Sequence, residues 1–130
     1  MTTISDIVRT LRSFPGVSEF LSTDKNGNIP IYQMISADAQ CYPHIAVFET
    51  ARTQLFCDDV PMVECSAYRI NLYSRVNNLH EFSMAVRDCL VDAGCVSVDI
   101  GADGINSQLG VFIKSVTCSV QEDIMDLNAY

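Results

Sequence analysis

Positive charge is scarce in this sequence: 8 Lys and Arg stand against 16 Asp and Glu in 130 residues, and no basic cluster occurs. Affinity for nucleic-acid phosphates comes mostly from Lys and Arg, so a protein that grips DNA or RNA is disfavoured. Long apolar runs are also missing. The clearest lie at 96–100 and 111–113, whereas a membrane-spanning helix needs about 18 or more apolar residues, so no membrane span is expected. The start, Met1-Thr2-Thr3-Ile4-Ser5-Asp6, lacks the basic and apolar stretches of a secretory signal. The expectation is that the chain stays where it is made.

Metal-binding patterns are equally absent. The 6 cysteines, at 41, 57, 65, 89, 95 and 118, form no Cys-x-x-Cys pair, and neither His44 nor His80 completes a zinc spacing with them. Most of these cysteines are expected to be buried, reduced thiols acting as small hydrophobes. No metal and no cofactor is expected.

What is present suits one folded domain over residues 1–130, since single domains cluster at roughly 100–150 residues. Hydrophobic residues make up 48% and charged residues 18%, enough to fill one interior without the charge excess of disordered chains. The net charge of −8 has two readings: solubility through self-repulsion, or a negative surface that does not adhere to nucleic acid.

Ile4, Ile7, Val8 and Leu11 fall at helical spacing, with Thr3 as N-cap, Asp6 completing a capping box and Pro15-Gly16 as the stop. Asp24-Lys25-Asn26-Gly27-Asn28 marks a turn, and residues 29–35 suggest at most a short strand or helical turn. Strands are expected at 45–49, at 54–57 and, after a turn through 58–61, at 63–74. In the last of these, Tyr68, Ile70 and Leu72 alternate with Arg69, Asn71 and Tyr73, so one set points inward and the other outward.

A second helix follows, carrying Leu79, Phe82, Val86, Cys89, Leu90 and Ala93 on one stripe, with Asn78 as cap and Gly94 as terminator. Strands at about 96–100 and 109–120 then flank a wide loop at 101–107. Val111 and Ile113 alternate out of phase with Val116, Cys118 and Val120, which predicts a bulge near Lys114-Ser115. Residues 121–130 read as an acidic tail that stays loose until a partner fixes it. The expected fold is α+β, ordered α-β-β-β-α-β-β, with one mainly antiparallel sheet of about four to five strands and two main helices on one face.

Candidate chemistry fails on geometry. Asp24-x-Asn26-x-Asn28 imitates the start of a calcium loop, but Ile29 and Ile35 occupy the places that need glycine and a carboxylate. Gly101-x-x-Gly104 lacks the further residues of a phosphate-binding loop. Asp58-Asp59 reads as turn chemistry. No cysteine carries a nucleophile signature, so no catalytic residue is assigned and an enzyme is not expected.

The run Tyr42-Pro43-His44-Ile45-Ala46-Val47-Phe48-Glu49, then Phe56-Cys57-Asp58-Asp59, then Tyr68-Arg69-Ile70-Asn71-Leu72-Tyr73-Ser74 resembles the central block of bacteriophage tail-terminator, or tail-completion, proteins. Members show an aromatic residue and proline leading into a strand, a small residue and an aspartate in the next turn, and a Tyr-x-Ile/Val-x-Leu-Tyr strand. Cys57 stands where the family has alanine or another small residue. The resemblance implies a non-enzymatic ring, usually of six subunits, at the head-proximal end of the tail tube. Such a ring stops tube polymerisation and docks to the head connector. It also implies a place in the tail-neck region of the virion, after synthesis in the host bacterial cytoplasm, with partners in further copies of the chain, the tail-tube protein and the connector. DNA then passes through a non-adhesive lumen.

Contact candidates are Arg69, Asn71 and Tyr73, an outward face rich in the residue types of interfaces, together with Asp58 and Asp59. The 101–107 loop and the tail are candidates for ordering on assembly. Two other readings stand beside this one: another neck or minor tail component such as a head-closure protein, and a small cytosolic α+β enzyme or ligand-binding domain.

Overall fold

The computed structural model of the chain describes residues 3–34 and 41–123. Helix α1 (Ile4–Ser13) starts as its sequence dictates: Thr3 N donates to Asp6 Oδ2 at 2.8 Å, and Asp6 N donates to Thr3 Oγ1. This closes the capping box and turns Ile7, Val8 and Leu11 toward the interior. Pro15-Gly16 does stop α1, but Pro15 also opens a one-turn helix, α2 (Pro15–Ser18). Its ring has no N–H to lose at a first helical position.

Among the described residues five strands follow the order β1-β2-β3-β5-β4. Strand β1 (Ile31–Gln33) runs parallel to β2 (His44–Cys57), while β2, β3 (Val60–Ser74), β5 (Val111–Asp123) and β4 (Ser97–Asn106) pair antiparallel in turn. The sheet is therefore mixed. Helix α3 (Leu79–Asp92) lies between β3 and β4 in the chain. Among the described residues the fold is α+β, with the two main helices expected, α1 and α3, and the one-turn α2 besides.

One apolar cluster joins the helices to one sheet face. Leu11, Val17, Phe82, Val86 and Leu90 pack with Ile45, Val47, Tyr68, Ile70, Leu72 and Val116. Phe20 stacks on Phe82 with ring centroids 5.0 Å apart. Gly94 ends α3 with φ +94°, a left-handed value that glycine adopts without Cβ strain. Asn78 stands at the N-cap without a side-chain capping bond; its Oδ1 instead accepts from Ser74 Oγ at 3.1 Å.

Four further expectations need correction. The gap expected at 50–53 does not break the strand, because the register shift between Glu49 and Ala51 lets β2 continue to Cys57. The turn expected at 58–61 contracts to Asp58-Asp59, both at positive φ (50° and 64°), which aspartate tolerates better than most residues. The loop expected at 101–107 is strand as far as Asn106. Finally, β5 holds an unbroken register against β3, so the predicted bulge is not in β5. It lies across from it, where Gly101 and Ala102 of β4 intervene between the pairs Ile100–Val116 and Asp103–Lys114. A Cβ on Gly101 would stand 3.0 Å from Ser115 O, so glycine suits the close approach. Of the tail expected to be loose, residues 121–123 extend β5 and the rest lies outside the described residues.

Candidate functional site

Strand alternation gives the sheet a second face, on which none of the helices among the described residues packs. Its cross-strand rows are Phe48–Arg69–Thr117, Ala46–Asn71–Ser115 and His44–Tyr73–Ile113. The phase change in β5 is explained here. Val111 and Ile113 serve this face, while Phe112, Val116, Cys118 and Val120 serve the helix side.

Aromatic rings gather at one end of the face. His44 stacks on Tyr73 with centroids 4.8 Å apart, and Tyr42 lies 5.1 Å from His44. His44 Nδ1 is 2.8 Å from Cys41 O. With Leu109, Val111, Ile113 and Asn106, these three rings line a cavity of about 230 Å³. Two guanidiniums lie on aromatic platforms, Arg69 over Phe48 and Arg75 over Tyr42, each 4.9 Å from the ring centroid.

Of the contact candidates, Arg69 is exposed while Asn71 and Tyr73 are half-buried. Asn71 Nδ2 donates to Tyr73 Oη at 3.2 Å and Asn71 Oδ1 accepts from Ser115 Oγ at 2.8 Å. Asn71 thus holds the face together, and Arg69 and Tyr73 present it. Asp58 and Asp59 are far away, at the opposite end of β2 and β3. Tyr42, His44, Phe48, Arg75, Leu109, Val111 and Ile113 were not singled out as contact residues. The phase change at Val111 and Ile113 was their one visible signal.

The other feature is an arm. Strand β1 pairs only with Ile45–Val47 of β2, so beyond Val47 the outer edge of β2 has no strand partner among the described residues. Strand β5 accompanies β3 to the level of Val63, opposite Asp123; beyond that level β2 and β3 pair only with each other among the described residues, as a two-stranded hairpin. At its root, Arg52 Nε donates to Glu49 Oε1 at 2.6 Å, Arg52 Nη2 donates to Tyr68 Oη at 3.2 Å, and Arg52 also pairs with Glu64. Toward its tip, Leu55 and Phe56 are 54% and 62% exposed.

Among the described residues, no three His, Cys, Asp or Glu side chains come together as a metal site would require. A second cavity, about 350 Å³, lies between α1 and α3 and is lined in part by Arg9, Ser13, Cys89 and Asp92. Burial pushes the Cys89 thiol up to about 11, which leaves it protonated and a weak nucleophile near neutral pH. The cysteines also depart from expectation: all six are free, but only Cys89 and Cys118 are buried, and Cys57 is exposed on the arm. Arm residues have no core to enter.

No protein-family model matches the chain, and no curated protein sequence matches it.

Proposed function

We propose that this chain is a tail-terminator subunit. Copies of it form a ring, of six by the resemblance, at the head-proximal end of a phage tail tube, stop tube growth and dock to the head connector. One observation carries the reading. The chain extends a hairpin whose tip buries nothing in its own core, and it keeps an aromatic sheet face free of helices. Two unlike surfaces on one subunit are what a head-to-tail ring requires. The sequence resemblance through Tyr42-Pro43, Asp58-Asp59 and Tyr68–Ser74 supports this family reading, and the α+β architecture is compatible with it. The net charge of −8 suits a lumen through which DNA slides without adhering.

The decisive experiment mixes the purified chain with the tail-tube protein of the same phage during tube assembly. Tubes should become shorter and carry a ring density at one end by electron microscopy. Unchanged tube lengths with bare ends would refute the reading, as would a stable dimer holding a bound metabolite.

A further inference from the structure

The arm ends in charge that the described residues leave unanswered. Asp58 and Asp59 form no ion pair among the described residues, and exposed Leu55, Phe56 and Val60 stand directly behind them. The helix-free face has the complementary character. Arg9, Arg52, Arg87 and Lys114 each pair with a carboxylate, Lys25 lies beside Asp24, and Arg12 donates to Ile31 O. Arg69 and Arg75 have neither a carboxylate nor a carbonyl partner among the described residues; each rests on an aromatic ring instead. Arg75 lies over Tyr42, which itself lines the cavity of about 230 Å³.

We propose that the arm tip of one copy seats in this cavity on the next copy. An apolar side chain from Leu55 or Phe56 enters among Tyr42, His44, Tyr73, Leu109, Val111 and Ile113. The turn carboxylates of Asp58 and Asp59 meet Arg75 at its mouth, and Arg69 adds to the positive field.

An arm cannot fill its own cavity. His44 begins β2 and Cys57 ends it, so at about 3.3 Å per residue the cavity and the tip lie roughly 40 Å apart along the same strand. An arm that occupies the cavity must come from another molecule, and this chain supplies one of matching apolar and charged character. Contact between two different patches propagates head to tail. The inference deepens the ring reading and rests on it for closure into a ring.

The test is a charge exchange read by native mass spectrometry and sedimentation over a range of concentrations. The variants are D58K/D59K, R69E/R75E and their equimolar mixture, each checked for native circular dichroism. Wild type should self-associate, and each variant alone should need at least tenfold more protein to do so. The mixture should recover assembly, because lysine arms then meet glutamate faces and aspartate arms meet arginine faces. As a second measure, a short bis-maleimide should link Cys57 of one copy to Cys41 of another, a product that C57S abolishes.

Wild-type association that both variants share, a mixture that fails to recover, or a wild type that stays monomeric throughout overturns the contact. So does retention of a single-stranded oligonucleotide by wild type that R69E/R75E loses, which assigns the face to nucleic acid. The two readings fail separately. Charge variants that still cap tubes leave the ring standing without this contact, and arm-dependent dimers that ignore tubes leave the contact without the ring.

Discussion

The Tyr32 hydroxyl donates to Asp24 Oδ2 at 2.8 Å, tying β1 to the turn that precedes it. The other carboxylate oxygen of Asp24 accepts from the backbone N–H groups of Asn28 and Asn26, at 3.0 and 2.9 Å. The residue that imitates a calcium ligand is thus occupied in closing its own loop. The hydrogen bond from Asn28, followed by that from Tyr32, holds this carboxyl below its ordinary value of 3.8.

A depressed carboxyl stabilises the fold fully above its unfolded value, and the contribution is lost as pH falls through the folded value. Asp24→Asn should therefore lower stability at neutral pH. The gap to wild type should narrow as pH drops below 3.8. Urea unfolding across the acid range measures this; a gap that stays constant with pH would assign the loss to shape and not to charge.

Lys114 occupies an inward position on β5, its side chain only 9% exposed, and its Nζ lies 2.7 Å from Asp103 Oδ1. Removing one partner strands a largely buried charge, whereas removing the charge itself does not. Asp103→Asn should cost about 1 kcal/mol, since Asp103 is mostly exposed and its attraction is screened by solvent. Lys114→Met should cost less than that. Thermal unfolding of both variants checks the order.

Phe82 is fully buried and stacks on Phe20, joining α3 to the chain that leaves α2. Phe82→Ala should destabilise by about 3–5 kcal/mol through lost burial and the cavity left behind. Denaturant unfolding gives the value. A loss below about 1 kcal/mol would mean that the site collapses around the gap.

The thiols should react in an order set by exposure and ionisation. Cys57 is exposed and should be alkylated first. Cys89 and Cys118 should be last. Burial raises Cys89, and a hydrogen bond with Cys95 together with burial raises Cys118. Timed iodoacetamide labelling with peptide mass analysis reads the order, and all six should react at once in denaturant.

What the sequence determined by itself is local. Thr3 and Asp6 cap α1, Gly94 ends α3, Asp24 closes a turn, and Tyr68, Ile70 and Leu72 enter the core. Each depends on spacings of a few residues, over which backbone geometry and side-chain periodicity act directly. Asp58-Asp59 was legible as a turn for the same reason, and Arg69 and Tyr73 as outward residues.

Only the tertiary structure decided which strands meet. The parallel pairing of β1 with β2, the placement of the bulge on β4 and the passage of β2 through Thr50 all depend on partners distant in sequence. So does the candidate site. Val111 and Ile113 looked like a slipped register until Tyr42, His44 and Tyr73 arrived beside them on the helix-free face. A period-2 pattern says that a strand has two faces; what covers each one is settled by packing.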